Sequence, residues 1–170
     1  MQVVELKDDF SSEFLVEFAR LIIAFGRLEF LLKVIAKDLH GKGFTLGMAQ
    51  AELDGQNFAP FCKSTLKQLA RERLTERLPA AGIEMFCSLL DEAVGLGEFR
   101  NDCVHACWYV HRTGLPARIR PKKNSKESAD WSRGRVVQTA EIRAAREQID
   151  RLYSKLDTLR LSWPPESASA

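Results

Sequence analysis

From residue 140 to 161 the apolar side chains Ile142, Ala145, Ile149, Leu152, Leu156 and Leu159 recur at three-four spacing without a miss. That period belongs to an amphipathic helix. A helix with one continuous apolar stripe is stable only against other elements, so this segment commits the chain to a packed helical assembly. Thr139 is the expected N-cap, Glu141 lies against the positive end of the helix dipole, and Pro164-Pro165 ends the segment. Residues 163–170 read as a disordered tail.

The same period appears near the other end of the chain. Residues 10 to about 39 read as a long helix, capped by Asp9, Ser11 or Ser12 and ended by His40-Gly41. Phe18, Ile22, Phe25, Leu32, Ala36 and Leu39 form its stripe, and Glu29 falls in the slot between Phe25 and Leu32. A carboxylate on an apolar stripe is costly to bury alone. Glu29 should therefore meet a cation, and Arg100 is the expected partner.

Residues 41–57, with Gly41, Gly43, Gly47 and Gly55, read as a connection. Gly41-Lys42-Gly43-Phe44-Thr45 lacks the spacing of a phosphate-binding loop and follows a helix rather than a strand. Further helices are expected over about 59–78, with Pro60 in the first turn and Pro79 beyond the end, and over about 82–107. In the latter, Gly95 and Gly97 leave open a kink, a close approach by another backbone, or a break between two helices. Lys67, Arg71, Glu72, Arg73, Glu76 and Arg77 interleave bases with acids and read as a solvated face. After Trp108 the period changes. Residues 109–112 and 117–120 flank Thr113-Gly114-Leu115-Pro116 as a short hairpin, and residues 134–138 offer a third strand. The fold class expected is mainly α, a four- to five-helix bundle in one domain over residues 1–162. A small β-hairpin appendage after the motif helix belongs to a basic insertion at about 109–138.

A chain of 170 residues can bury a core without disulfides or metals. Of its 25 Lys and Arg and 23 Asp and Glu, eight basic and two acidic residues fall within 112–135, leaving the remainder net negative. A basic arm on an acidic body points to a polyanion. No apolar run is long enough to cross a membrane. Residues 1–9 have neither a basic start nor an apolar core, so secretion is not expected. Cys62, Cys87, Cys103 and Cys107 sit in apolar surroundings that suit reduced thiols, consistent with a cytoplasmic location.

The chemistry concentrates at Arg100-Asn101-Asp102-Cys103-Val104-His105. On a helix, Asn101 and His105 stack on one face. Arg100 lies about 140° round from His105, within reach of the same cleft through its long side chain. Guanidinium recognises phosphate with permanent charge and planar geometry, and histidine gives and takes protons at cellular pH. Together they suffice to cleave an RNA phosphodiester without metal, using the 2′-OH as nucleophile.

At these residues the chain resembles the HEPN family of all-helical domains, many of them metal-independent ribonucleases. The likeness covers Arg100, the polar Asn101, His105 four residues beyond Arg100, Trp108 just after, and the Leu28-Glu29 pair of the first long helix. It implies a homodimer whose subunits pool Arg100 and His105 in one cleft. Arg100 would bind the scissile phosphate, His105 would act as acid and base, Asn101 would hold imidazole or phosphate, and Glu29 would orient Arg100. It also implies a place in toxin–antitoxin or antiviral defence systems, with a cognate antitoxin or defence partner. The alternative is a non-catalytic HEPN-like module that binds RNA, nucleotide or protein. A third reading is a helical partner protein whose basic arm binds another chain. Acid–base cleavage moves two protons, which one His105 does not supply alone, and a twofold along the motif helix at Gly97 and Val104 would bring a second.

RNA contacts are expected from Trp108, Tyr109, His111, Arg112, Arg118, Arg120, Lys122, Lys123 and Lys126, where rings for stacking alternate with cations for phosphates. The competing reading packs Trp108 and Val110 against the bundle. Cys103, Cys107 and His111 would share a face only if the helix ran to 111, and no fourth ligand accompanies them, so neither a metal nor another cofactor is expected. Nothing marks a cysteine as a nucleophile beyond nearby Arg100.

Overall fold

The computed structural model describes residues 9–119 and 134–164. The chain enters its longest helix, α1 (Ser12–His40), at Ser11, whose hydroxyl accepts a hydrogen bond from the Phe14 N–H at 3.2 Å. It leaves at Gly41, which takes the left-handed φ of 63° and donates its N–H to the Asp38 carbonyl. The buried line of α1 is Phe14, Glu17, Leu21, Ala24, Phe25, Leu28, Leu31, Leu32, Ile35, Ala36 and Leu39. Phe18 and Ile22, expected on the apolar stripe, lie half-buried at its edge. The carboxylate on the buried line is therefore Glu17, and Glu29 stands at the margin.

Where a connection was expected, Phe44–Asp54 forms helix α2. Gly47 weakens it locally, and tertiary contacts override that preference. Gly47 and Ala51 are buried, and Gly47 lies so close to Lys37 that a Cβ there would stand 2.7 Å from Lys37 Cγ. Lys33–Glu52 (2.6 Å) and His40–Asp54 (2.9 Å) tie α2 to α1. Helix α3 (Phe58–Pro60) continues through a π-helical segment, Phe61–Leu66, into α4 (Lys67–Leu74). Helix α5 (Ala80–Val104) runs through Gly95 and Gly97 without interruption, and it ends three residues earlier than the periodicity suggested.

The hairpin is present and becomes a three-stranded antiparallel sheet in the order β1 (Cys107–Val110), β2 (Pro116–Ile119), β3 (Arg135–Val136). Trp108 faces Arg118, and Arg118 faces Arg135. The last helix, α6 (Thr139–Leu161), is capped by Gln138 rather than Thr139. The Gln138 side chain accepts from the Glu141 N–H, and the Glu141 carboxylate accepts from the Gln138 N–H at 3.2 Å.

Helices α1 and α6 pack along each other more extensively than any other pair. Ile142, Ala145, Ile149, Leu152 and Leu156, all buried, meet the line of α1 in a core that also takes Phe61, Leu66, Phe86 and Leu90. The architecture is thus a helical bundle with a small sheet beside the end of α5. Among the described residues no helix is long and apolar enough to cross a membrane.

Candidate functional site

A cleft of about 230 Å³ opens where α1, the α2–α3 connection and α5 meet, lined by Phe25, Glu29, Gly55, Gln56, Asn57, Phe58, Arg100 and Asn101. Gly97 makes this junction possible. A Cβ there would stand 2.8 Å from Phe58 Cε1 and 3.2 Å from Phe25 Cζ. Without one, Phe58 settles on α5 and against Phe25, ring centroids 4.9 Å apart. Gly97 is consequently buried within the chain and is not available to a partner helix, unlike the seam expected of it.

Arg100 sits at the head of the cleft. Its guanidinium carbon lies 5.1 Å over the Phe25 ring, a cation–π contact. Nη1 donates to Asn101 Oδ1 at 2.9 Å, and Nη2 stands 4.0 Å from Glu29 Oε2. The expected Glu29–Arg100 pair is thus brought together, but beyond hydrogen-bond length. Nε is buried with no partner among the described residues, an arrangement that costs about 1–3 kcal/mol in a settled protein interior. Gln56 and Asn57, both exposed, also line the cleft, and the Asn57 side chain makes no cap hydrogen bond to α3. The walls therefore present one cation, one carboxylate and three amides, a set that suits one small anionic group once Glu29 gives up the guanidinium.

His105 is the C-cap of α5, with φ −96° and ψ 6°, and its N–H donates to the Asn101 carbonyl at 3.0 Å. It shares the helical turn of Asn101 as the spacing required. Its imidazole is exposed and does not line the cleft that holds Arg100 and Asn101.

What fixes the end of α5 is the sheet. The Trp108 indole N–H donates to the Cys103 carbonyl at 2.7 Å, satisfying one of the carbonyls that a helix end leaves open. Its ring packs on Phe14 and Phe18 of α1, with centroids at 5.2 and 5.5 Å. Arg118, buried across the strand from it, lies 5.5 Å over Phe99, donates to Cys103 Sγ at 3.6 Å and approaches Asp102 at 3.9 Å. A cation here also complements the negative end of the helix dipole.

Three expected RNA contacts thus have structural partners. Trp108 and Arg118 anchor the sheet, while Tyr109 is buried against Gly134, where a Cβ would fall 1.7 Å from its hydroxyl oxygen. Burial takes Tyr109 and Arg118 out of the surface that a nucleic acid could touch. His111 and Arg112 occupy the hairpin turn, His111 bonded through Nδ1 to the Thr113 hydroxyl at 2.9 Å and Arg112 exposed. Arg120, Lys122, Lys123 and Lys126 lie outside the described residues.

The end of α5 at Val104 also separates Cys103 from Cys107, and among the described residues no group of three His, Cys, Asp or Glu could hold a metal. Burial pushes the Cys103 thiol up to about 11, against the pull of Arg118, and Cys62 up to about 12. Neither is an activated nucleophile. Gln56, Asn57 and Phe58 were missed as cleft residues. Their one signal was a polar pair immediately before an aromatic, too common to single out. Comparison with protein-family models, with curated proteins and with solved structures gives no match.

Proposed function

We propose that this chain is a metal-independent endoribonuclease of the HEPN kind, binding the RNA backbone at Arg100 and moving protons with His105. The observation that carries the reading is the Arg100 guanidinium, held over Phe25 and against Asn101 at the mouth of a polar cleft. In the reaction a base removes the 2′-OH proton and the 2′-oxygen attacks phosphorus. The bond to the 5′-oxygen then breaks, that oxygen takes a proton, and a 2′,3′-cyclic phosphate and a 5′-hydroxyl remain. Arg100 stabilises the charge that develops on the phosphoryl oxygens.

One exposed His105 beside each cleft serves one of the two proton transfers, and a second copy of the chain supplies the other. Exposed Val104 at the end of α5 and exposed Val16, Ile23 and Phe30 on α1 offer apolar surface for that association. A homodimer at micromolar concentration is expected by sedimentation. Toxin–antitoxin or antiviral defence is the setting the resemblance implies, with RNA as substrate and a cognate antitoxin as partner.

The separation of His105 from the Arg100 cleft favours a second reading, an RNA-binding module without turnover. Incubation with RNA in EDTA decides between them. The nuclease cleaves under chelation and leaves cyclic phosphate ends, and His105→Ala lowers the rate by about 10²–10⁴-fold with the fold intact. Cleavage that needs a divalent ion, or that survives His105→Ala, defeats the proposal. Binding without cleavage selects the second reading.

A further inference from the structure

The Arg100–Glu29 pair has the composition of a salt bridge without its geometry. At 4.0 Å the carboxylate is too far to accept a hydrogen bond from Nη2, and both side chains keep contact with solvent, 25% and 33% exposed. Other ion pairs of the same helix close to hydrogen-bond length: Glu17 meets Arg20 at 3.0 Å and Arg146 at 3.3 Å, and Lys33 meets Glu52 at 2.6 Å. Gln56 and Asn57 line the same cleft as Arg100, and their amides can donate to an anion. The volume of about 230 Å³ matches roughly eight waters, enough for a phosphate group.

We propose that Glu29 is the resident counter-ion of a single-phosphate subsite, displaced from Arg100 when RNA binds, and that Asn57 and Gln56 complete the donor set around the phosphate. The inference rests on the RNA-binding part of the proposed function. It reverses the role first given to Glu29, because a carboxylate that competes for the guanidinium weakens binding where an orienting carboxylate would strengthen it. A phosphate makes two parallel hydrogen bonds to guanidinium at about 2.7–2.9 Å, which the carboxylate at 4.0 Å does not. The subsite therefore takes one phosphate of the RNA backbone.

The probes are inorganic phosphate and a short 2′-O-methyl oligoribonucleotide, which binds but cannot be cleaved. Titration calorimetry on the full chain should show Glu29→Gln binding both probes several-fold more tightly than wild type. Asn57→Ala should weaken the oligonucleotide about tenfold and leave the salt dependence unchanged, because an amide releases no counterion. Arg100→Ala should lower the slope of log affinity against log salt by about one. Glu29→Gln binding equally or less tightly overturns the counter-ion role, and Asn57→Ala and Gln56→Ala both matching wild type overturns the donor set. These shifts without any RNA cleavage by wild type support the subsite and defeat the nuclease reading. Cleavage with Glu29→Gln binding more weakly does the reverse.

Discussion

Two carboxylates twelve residues apart on α1 each face arginine, and they are opposites in every physical respect. Glu17 is 5% exposed, accepts hydrogen bonds from Arg20 at 3.0 Å and Arg146 at 3.3 Å, and has Arg143 at 3.7 Å. Glu29 is partly exposed and has one cation, Arg100, at 4.0 Å. The first cluster is closed: Arg143 also holds Glu13, and Arg146 also holds Asp150, so the cations are matched by acids and α6 is bound to α1. The second leaves a guanidinium nitrogen unpaired and a cleft in front of it. Closed ion clusters hold elements together, while a charge kept partly open is what a ligand site requires.

Exchanging one arginine from each cluster tests this most severely. Arg100→Ala should cost about 10²–10³-fold in RNA cleavage, the scale of losing one donor to a developing negative charge, with Tm changed little. Arg146→Ala should do the opposite, lowering Tm while activity per folded molecule stays near wild type. Kinetics and thermal melts on the two variants give a fourfold table. If Arg100→Ala unfolds the chain, or Arg146→Ala silences it without loss of stability, the division between the clusters is wrong.

Acid should separate them next. Burial alone would raise the Glu17 carboxyl, but hydrogen bonds from Arg20 and Arg146 and the charges of Arg146 and Arg143 outweigh it and hold the group below its ordinary value of 4.5. A depressed folded pKa means that the unfolded chain binds the proton more readily. The contribution to stability is therefore complete above the ordinary value and is lost as pH falls through the folded one. Glu17→Gln should melt below wild type at pH 7, and the gap should close as pH drops below 4.5. Glu29→Gln, at a half-exposed site, should stay within about 2 °C of wild type at pH 7.

That contrast was only half legible in the sequence. The period of Ile142 to Leu156 and the pair Ser11 and Gly41 declare the long helices, because burial stripes and caps are local signals. Which side of α1 faces inward was not local. Phe18 and Ile22 share the three-four spacing with Leu21, Phe25 and Leu28, and only packing against α6 selects the latter set. The choice moves the buried carboxylate from Glu29 to Glu17. Helix α2 was hidden because Gly47 within it and Gly43 and Gly55 at its ends read as a connection, while the contacts that hold it, from Lys33, Lys37 and His40 of α1, are tertiary. Trp108 and Arg118 offer a ring and a cation that serve RNA and a helix end equally well, and only the fold shows that both meet Cys103, Trp108 at its carbonyl and Arg118 at its Sγ.

The smallest effects expected come from two glycines two residues apart on α5, and they test whether the cleft depends on packing beneath it. Glycine in a helix interior costs about 1 kcal/mol relative to alanine, so alanine stabilises wherever space allows. At Gly95, exposed, an added Cβ meets nothing within 4 Å. Gly95→Ala should raise Tm by roughly 2–4 °C and leave RNA binding alone. At Gly97 the Cβ would press on Phe58 at 2.8 and 2.9 Å and on Phe25 at 3.2 Å. Overpacking of that kind costs about 1–3 kcal/mol, which cancels or exceeds the helical gain. Both rings line the cleft, and Phe25 carries Arg100 on its face, so any relief moves the guanidinium. Gly97→Ala should therefore weaken binding of single-stranded RNA while changing Tm by a few degrees at most, a loss of function larger than its loss of stability. Equal gains in Tm from both substitutions, with binding untouched, would show that Phe58 yields freely and that Arg100 does not depend on the ring below it.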